Sequence, residues 1–227
     1  EELRIAAEIG LSDLGLAAYR VEQALNRVPT HAAFISRDRT FQFIHDRFLH
    51  YFLGSRLARL LQGGDEAAVL PLLAARELGP NVVEWVAWHW RQSGGDTLNL
   101  LTWTNDLRAK TTDSITASNL GHLVAQTVAA LSLEQLVTVS GHTFSGEMLR
   151  GHAFRMLQFM SCEFWHLDLT STTFSDCRFS ECRFGDIRAT SGTGFTKTVF
   201  DRCSINSVAI DDRVVFSPEA IEEVLVS

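Results

Sequence analysis

The four cysteines are the first residues to consider for chemistry, because thiols can serve as nucleophiles, metal ligands or disulfide partners. They are Cys162, Cys177, Cys182 and Cys203, all in the C-terminal part of the chain. No C-x-x-C pair occurs, and the spacings of 15, 5 and 21 residues do not match a zinc-binding pattern. Spacings close to multiples of five indicate positions within a repeat. We therefore predict that the thiols are small core residues and that the chain binds no metal.

Other catalytic patterns were sought among the histidines and the glycine-rich turns. None of the eight histidines stands beside a serine or cysteine in a recognisable nucleophile motif. The sequence contains no G-x-x-x-x-G-K-[ST] loop that could hold a nucleotide phosphate. We therefore predict no catalytic residue and no cofactor, so that this chain is not itself an enzyme.

Apolar side chains recur every five residues from Phe144 to Ala189 and, after a one-residue insertion, from Phe195 to Ile210. A helix repeats about every 3.6 residues and a strand every two, so neither produces this spacing. A second column of mostly small or apolar residues, including all four cysteines, stands two positions before the repeat centres. The predicted core residues are Phe144, Leu149, Phe154, Phe159, Phe164, Leu169, Phe174, Phe179, Phe184, Phe195, Phe200, Ile205, Ile210, Cys162, Cys182 and Cys203.

This double column resembles the pentapeptide-repeat family. The resemblance implies a right-handed quadrilateral parallel β-helix with four pentapeptides per turn, so that residues twenty positions apart stack on one wall. Three columns of phenylalanine and one aliphatic column would then fill the interior. We predict the β-helix over residues 137–216. A short capping helix is predicted over residues 217–227, because Ser217 and Pro218 are favoured at a helix start.

Residues 1–136 show helical periodicity and form the predicted N-terminal helical domain, which makes the fold class α+β. A short strand is predicted at residues 41–44. The predicted helices span residues 11–27, 46–61, 66–75, 82–91, 97–109 and 118–131. The apolar stripe of the first helix consists of Leu11, Leu14, Ala18, Val21 and Leu25. The predicted buried stripe of the second consists of Phe48, Tyr51, Phe52, Ser55 and Leu57.

The segment from Phe41 to Phe52 is similar to a motif of NACHT-type STAND signal-transduction NTPases, F-x-F-x-H-x-x-F-x-E-Y-F-x-A. The matching residues are Phe41, Phe43, His45, Phe48, Tyr51 and Phe52. His50 and Gly54 depart from the pattern, which has an acidic residue and an alanine there. The resemblance implies that residues 1–136 follow a nucleotide-binding and winged-helix region, and that the chain is the C-terminal part of a larger ATPase.

The predicted outer surface of the β-helix carries a basic belt and an aromatic pair. Arg178, Arg183 and Arg188 each come directly before a repeat centre, and an acidic residue stands two positions before each of them. Trp165 and His166 follow the Phe164 centre and are predicted to face outward. Because an exposed tryptophan is typical of a contact surface, these five residues are the predicted partner surface.

Composition narrows the possible partners. The net charge is −7, so the basic excess expected of a nucleic-acid-binding protein is missing. No apolar stretch approaches the roughly 20 residues needed to span a bilayer. We therefore predict a cytoplasmic chain that binds protein rather than nucleic acid or membrane. Its partner would be an upstream ATPase domain, a second copy or a trigger protein.

Three functions remain open on the sequence. The first is a non-catalytic sensor or protein-interaction region of a NACHT-like signalling ATPase, with a role in signalling or bacterial defence. The second is a free-standing pentapeptide-repeat protein that binds a topoisomerase by mimicking DNA. The near-balanced surface charge and the helical domain disfavour this second function. The third is a structural scaffold for oligomerisation.

Overall fold

The computed structural model describes residues 34–37, 40–43, 46–129, 135–211 and 213–215. A helical region comes first, and a parallel β-solenoid of about four turns follows it. The predicted helix at residues 11–27, His45 of the NACHT-like motif and the predicted cap at residues 217–227 lie outside the described residues. So do the side chains of Phe41, Phe43 and Phe48.

The helical region begins with an antiparallel hairpin of β1 (Phe34–Arg37) and β2 (Thr40–Phe43). The described helices that follow are α1 (Asp46–Gly63), α2 (Glu66–Ala75), α3 (Pro80–Gln92), α4 (Thr97–Lys110) and α5 (Ser114–Val128). Helix α5 starts at residue 114, four residues earlier than predicted. It does so because Asp113 is its N-cap, and the carboxylate accepts a hydrogen bond from the Thr116 backbone N–H at 2.7 Å. None of these described helices is long and apolar enough to cross a bilayer.

Helix α1 buries a different face from the one predicted. Leu57 is buried as expected, but Tyr51 is 37% exposed and Phe52 is 53% exposed. The cause is Gly54, where an added Cβ would lie 2.5 Å from the Cβ of Trp85. Because Gly54 has no side chain, α3 packs closely against the face of α1 that carries Gly54, and Leu57 and Ala58, one turn later, are buried there. The aromatic pair is turned away from that core.

The solenoid strands form four sheets that follow the predicted walls. The strands are β3 (Val137–Ser140), β4 (Thr143–Gly146), β5 (Ala153–Arg155), β6 (Leu157–Met160), β7 (Glu163–Leu167), β8 (Thr173–Ser175), β9 (Arg178–Ser180), β10 (Arg183–Gly185), β11 (Ile187–Ala189), β12 (Gly194–Thr196), β13 (Val199–Asp201), β14 (Ser204–Ile205), β15 (Val208–Ile210) and β16 (Arg213–Val215). The sheet orders are β3-β6-β9-β13, β4-β7-β10-β14, β5-β8-β12 and β11-β15-β16.

Strand register follows the twenty-residue period. Phe144 pairs with Phe164, and Phe164 pairs with Phe184. After the insertion the offset becomes one residue longer, and Phe184 pairs with Ile205. All pairings between turns are parallel, whereas the final strand β16 runs antiparallel to β15. The sequence did not predict this reversal, which gives β15 a hydrogen-bonded neighbour on its outer edge.

Stacked phenylalanines fill the solenoid. Within each phenylalanine column the ring centroids of successive turns lie 4.7 to 5.2 Å apart, with interplanar angles of 6° to 18°. This matches the distance of about 4.8 Å between neighbouring strands, so each ring stacks on its counterpart. The centres from Phe144 to Phe195 are at most 5% exposed. Phe200, Cys203 and Ile205 are only partly buried, because no described turn of the solenoid follows them.

Candidate interaction surfaces

Helix α5 covers the first turn of the solenoid. Its residues Val124, Ala125 and Val128 belong to the same hydrophobic core as Phe144 and the other repeat centres. Gly121 makes this packing possible, because a Cβ at that position would lie 2.1 Å from the carbonyl oxygen of Thr143. The helix and the first turn therefore meet backbone to backbone, and α5 contributes side chains to the solenoid core, while the helices also pack around a second core of their own.

Asn105 on α4 forms hydrogen bonds with the backbone of the first solenoid strand, β3. The amide of Asn105 donates to the Thr138 carbonyl at 3.1 Å, and its oxygen accepts from the Ser140 N–H at 3.1 Å. A residue on a neighbouring parallel strand would form the same two bonds on either side of Val139. Asn105 thus acts as a substitute for a preceding strand and covers part of the edge of β3, which would otherwise be open to pairing.

Histidines line the contact between the helices and the solenoid. His142 is fully buried and donates its Nε2–H to the Asn105 oxygen at 3.0 Å, which leaves Nδ1 without a hydrogen-bond partner among the described residues. Burial, followed by the nearby Arg108 guanidinium, lowers the pKa of His142 to about 3. His152 lies 3.1 Å from the Gln126 amide, and burial lowers its pKa as well. The contact therefore holds neutral imidazoles.

One residue of the predicted basic belt forms an ion pair with the preceding turn: Arg183 lies 3.6 Å from the Glu163 carboxylate. Burial would raise the pKa of Asp168, but hydrogen bonds from Thr170 lower it, with smaller contributions from the charges of Arg150 and Arg188. Arg178 is exposed on β9, between Gln158 and Val199 of the neighbouring strands. Exposed ion pairs of this kind contribute little to stability. Within the described surface, the three arginines therefore differ in their surroundings, and only Arg183 is held in an ion pair.

Trp165 and His166 do not form one exposed pair. The Trp165 ring lies against Gly185 of the next turn, where a Cβ would come within 1.9 Å of it, and the indole is half-buried. His166 is exposed, adopts a positive φ of 48° and places Nδ1 3.5 Å from the Asp186 carboxylate. A contact surface on this wall would therefore expose only part of the indole, beside the Arg183–Glu163 pair.

The cysteine column has a hydrogen-bonding role that its spacing did not reveal. Cys162, Cys182 and Cys203 donate their S–H groups to carbonyl oxygens of the preceding turn, each at 3.4 Å. Thr172 and Thr193 occupy the same column and donate to equivalent carbonyls at 2.8 and 2.7 Å. Cysteine and threonine share this column because both are small and both can donate. The threonines alone could have signalled this role.

Two thiols of this column, Cys182 and Cys203, are poorly suited to reactivity. Burial alone would raise the pKa of Cys162, but hydrogen bonds from Cys182 and from nearby backbone groups outweigh it and lower that pKa. The hydrogen bond that the Cys182 thiol donates to the Cys162 sulfur raises the pKa of Cys182 to about 12, with burial as a further cause. The contact with Cys182 likewise raises the pKa of Cys203. A protonated thiol is neither a nucleophile nor a metal ligand. Within the described part of the chain, no group of three or more His, Cys, Asp or Glu residues could hold a metal ion.

An open groove of about 380 Å³ lies where α4 meets the start of β3. Its walls include Leu98 and Thr102 from the helix and Leu136 from the strand side. Leu98 is 41% exposed and Leu136 is 47% exposed, so the groove offers an apolar rim beside the polar Asn105 contact.

A second exposed apolar surface lies on α1 and α3, and we call Tyr51, Phe52, Trp85, Trp88 and His89 the aromatic face. The Tyr51 ring is 5.1 Å from Trp85 and 5.0 Å from His89, and Trp88 lies 4.8 Å from His89. These edge-on contacts hold the rings together as a cluster. Partial burial, followed by the Arg59 charge, lowers the pKa of His89. The sequence expected Tyr51 and Phe52 to be core residues, so this surface was not predicted.

The surfaces described above are identified from the geometry of the structure alone. Neither a protein-family model nor a curated protein matches this chain.

Proposed function

We propose that this chain is a non-catalytic protein-interaction region, and that it serves as the C-terminal sensor part of a NACHT-like signalling ATPase. The observation that supports this proposal is the shared core of α5 and the first solenoid turn. Because the two regions meet backbone to backbone at Gly121, a ligand that displaces the solenoid must also displace the helices. Repeat solenoids present extended, rigid surfaces of the kind that bind other proteins.

The proposal extends to the finer features of the solenoid. The four strand columns and the twenty-residue register support a right-handed quadrilateral coil of pentapeptide repeats. The partly buried Phe200 and Ile205 of the last turn support a capping role for residues 217–227. We also propose a cytoplasmic location, which the four free cysteines support, since thiols persist in reducing compartments.

The protein partner would bind the outer wall formed by β4, β7, β10 and β14. That wall carries the exposed part of Trp165 beside the Arg183–Glu163 pair. Aromatic and arginine side chains are enriched where protein interfaces concentrate their binding energy. The DNA-mimic alternative has less support, because acidic side chains of the solenoid are paired with arginines, as in Arg155–Asp176 and Arg202–Glu181.

The experiment uses the full parent protein and measures ATP hydrolysis and oligomeric state, with and without residues 137–227. Release of ATPase activity or of assembly by the deletion would support an inhibitory sensor. A Gly121→Ala variant should release the same activity while the repeats stay present, because it weakens only the contact between the two regions. Gly63→Ala is the matched control, since a Cβ there meets nothing within 4 Å. A parent without nucleotide binding, or a deletion without effect, would refute the proposal.

A further inference from the structure

Four of the seven large apolar side chains that are exposed among the described residues lie on one side of the molecule. Leu98 and Leu136 form the rim of the groove between α4 and β3. Met160 and Val199 stand on the outer face of the sheet β3-β6-β9-β13, whose first strand borders that groove through Thr138. An exposed apolar surface of this kind is typical of a contact between proteins.

This side also carries a cation that has no acidic partner within the described chain. Arg178 on β9 stands between Gln158 and Val199 of the neighbouring strands, so no carboxylate lies in register with it. Other arginines of the solenoid do form ion pairs with carboxylates: Arg150, Arg155, Arg183 and Arg202. The charge of Arg178 is therefore available to a partner.

An anion on α4 is available in the same way. Lys110 lies one helical turn after Asp106, at a spacing that suits an ion pair. Its ammonium group is instead 3.0 Å from the Glu66 carboxylate. Asp106 is exposed, lines the groove and forms no ion pair with a described side chain.

The two available charges stand at opposite ends of one column of residues. Thr138, Gln158 and Arg178 occupy equivalent positions on β3, β6 and β9, and Asp106 lies near Thr138 in the groove. Two strand spacings, about 10 Å, separate Thr138 from Arg178. A surface with opposite charges at its two ends is complementary to a second copy of itself that is turned end for end.

We infer that two copies of this chain associate through this side, which we call the association face: Leu98, Asp106, Leu136, Met160, Arg178 and Val199. A two-fold axis that crosses the column between Thr138 and Gln158 places Arg178 of one protomer opposite Asp106 of its partner, and Asp106 opposite Arg178. Thr138 and Gln158 are uncharged, so close approach leaves no charge buried without a partner. The inference goes beyond the proposed function, because it uses a different wall of the solenoid and requires no ATPase domain.

Sedimentation velocity of the full chain with reversed charges tests the inference. The wild-type chain should show a monomer–dimer equilibrium that weakens as salt increases. Arg178→Glu and Asp106→Arg each replace two attractive contacts per dimer by two repulsive ones, so the dissociation constant of each variant should rise about tenfold or more. In dilute solution, where the chain is monomeric, neither substitution should change the free energy of unfolding, because neither side chain forms an ion pair within the described chain.

Mixing the two variants is the decisive measurement. In a dimer with one chain of each variant, the new carboxylate faces the new guanidinium, and the unchanged Asp106 of one chain faces the unchanged Arg178 of the other. An equimolar mixture should therefore dimerise about as tightly as the wild type, which would also show that both variants are folded.

Arg188→Glu is the matched control, because Arg188 is also exposed directly before a repeat centre but lies on β11, in another wall. This variant should dimerise with an unchanged dissociation constant. The inference would be overturned by a wild-type chain that stays monomeric at millimolar concentration, or by Arg178→Glu and Asp106→Arg variants that dimerise like the wild type. A mixture that associates no more tightly than its two components would overturn it as well.

Discussion

Gly121→Ala is the sharpest test of how the two regions are joined. The added Cβ would lie 2.1 Å from the Thr143 oxygen, whereas ordinary contact begins at 3.4 Å, so α5 and the first turn must separate by about 1.3 Å. Overpacking costs about 1–3 kcal/mol, and backbone atoms on both sides cannot rotate away, which favours the upper end. Alanine returns about 1 kcal/mol through its helix propensity. We therefore expect a net loss of about 2 kcal/mol in the free energy of unfolding.

Denaturant unfolding of the full chain measures this loss, and hydrogen exchange locates it. Exchange should accelerate at the contact between α5 and the first turn, around Thr143, and stay unchanged in the later turns of the solenoid. Gly63→Ala should be neutral or slightly stabilising, because it gains helix propensity without a steric clash. A Gly121→Ala protein as stable as the wild type would refute the backbone contact between α5 and β4.

Three further predictions address hydrogen bonds and protonation. Asn105→Ala should lower the free energy of unfolding by about 3 kcal/mol, because three hydrogen bonds are lost at about 1 kcal/mol each. Asp106→Ala, which changes the exposed neighbouring residue, should leave the stability unchanged. If denaturant unfolding gave the two variants equal stability, the role of Asn105 as a substitute strand would be contradicted. Cys182→Val should lower the free energy of unfolding by about 1 kcal/mol, because the S–H donor is lost, whereas Cys182→Thr should leave it nearly unchanged. Equal thermal stability of the two variants would disprove the donor role. The pKa of His142 is about 3 in the folded protein and 6.5 as a free side chain, so the unfolded chain binds more protons between these values and stability falls as the pH drops through that window. At pH 5 the free energy of unfolding should be about 2 kcal/mol lower than at neutral pH. This loss should disappear in His142→Gln and persist in His166→Gln. An unchanged pH dependence of unfolding in His142→Gln would be inconsistent with a buried neutral imidazole.

The sequence was most informative where one spacing is repeated many times. Each repeat centre stands at the same distance along the chain from the next. The ring columns of Phe144, Phe154 and Phe159 therefore follow from counting, once the family resemblance supplies four repeats per turn. The column of cysteines was also located by counting. Its hydrogen bonds to carbonyl groups of the preceding turn were missed, because they depend on side-chain direction at the corners.

The helical region shows what a local pattern cannot decide. Helix α1 has apolar residues on more than one face, and propensity alone does not say which face meets a neighbour. Gly54 settles the choice only through the close approach of α3, which leaves Tyr51 and Phe52 on the surface. Asparagine is disfavoured inside helices, so Asn105 on α4 could have been suspected of a special role. Its two backbone hydrogen-bond partners lie more than 30 residues away along the chain, which the sequence does not reveal.

The sequence by itself thus determined the solenoid, its register and the filling of its core, because a five-residue period, with the four repeats per turn that the family resemblance implies, specifies neighbours one turn apart. Only the tertiary structure decided where the helices sit on that solenoid. The backbone contact at Gly121 and the pairing of Asn105 with β3 join residues distant along the chain. Neither contact is encoded in a period. The first contact forms because Gly121 has no side chain, and the second because the Asn105 amide can hydrogen-bond to a strand edge. Both depend on where the two elements lie in space, which the local sequence does not specify.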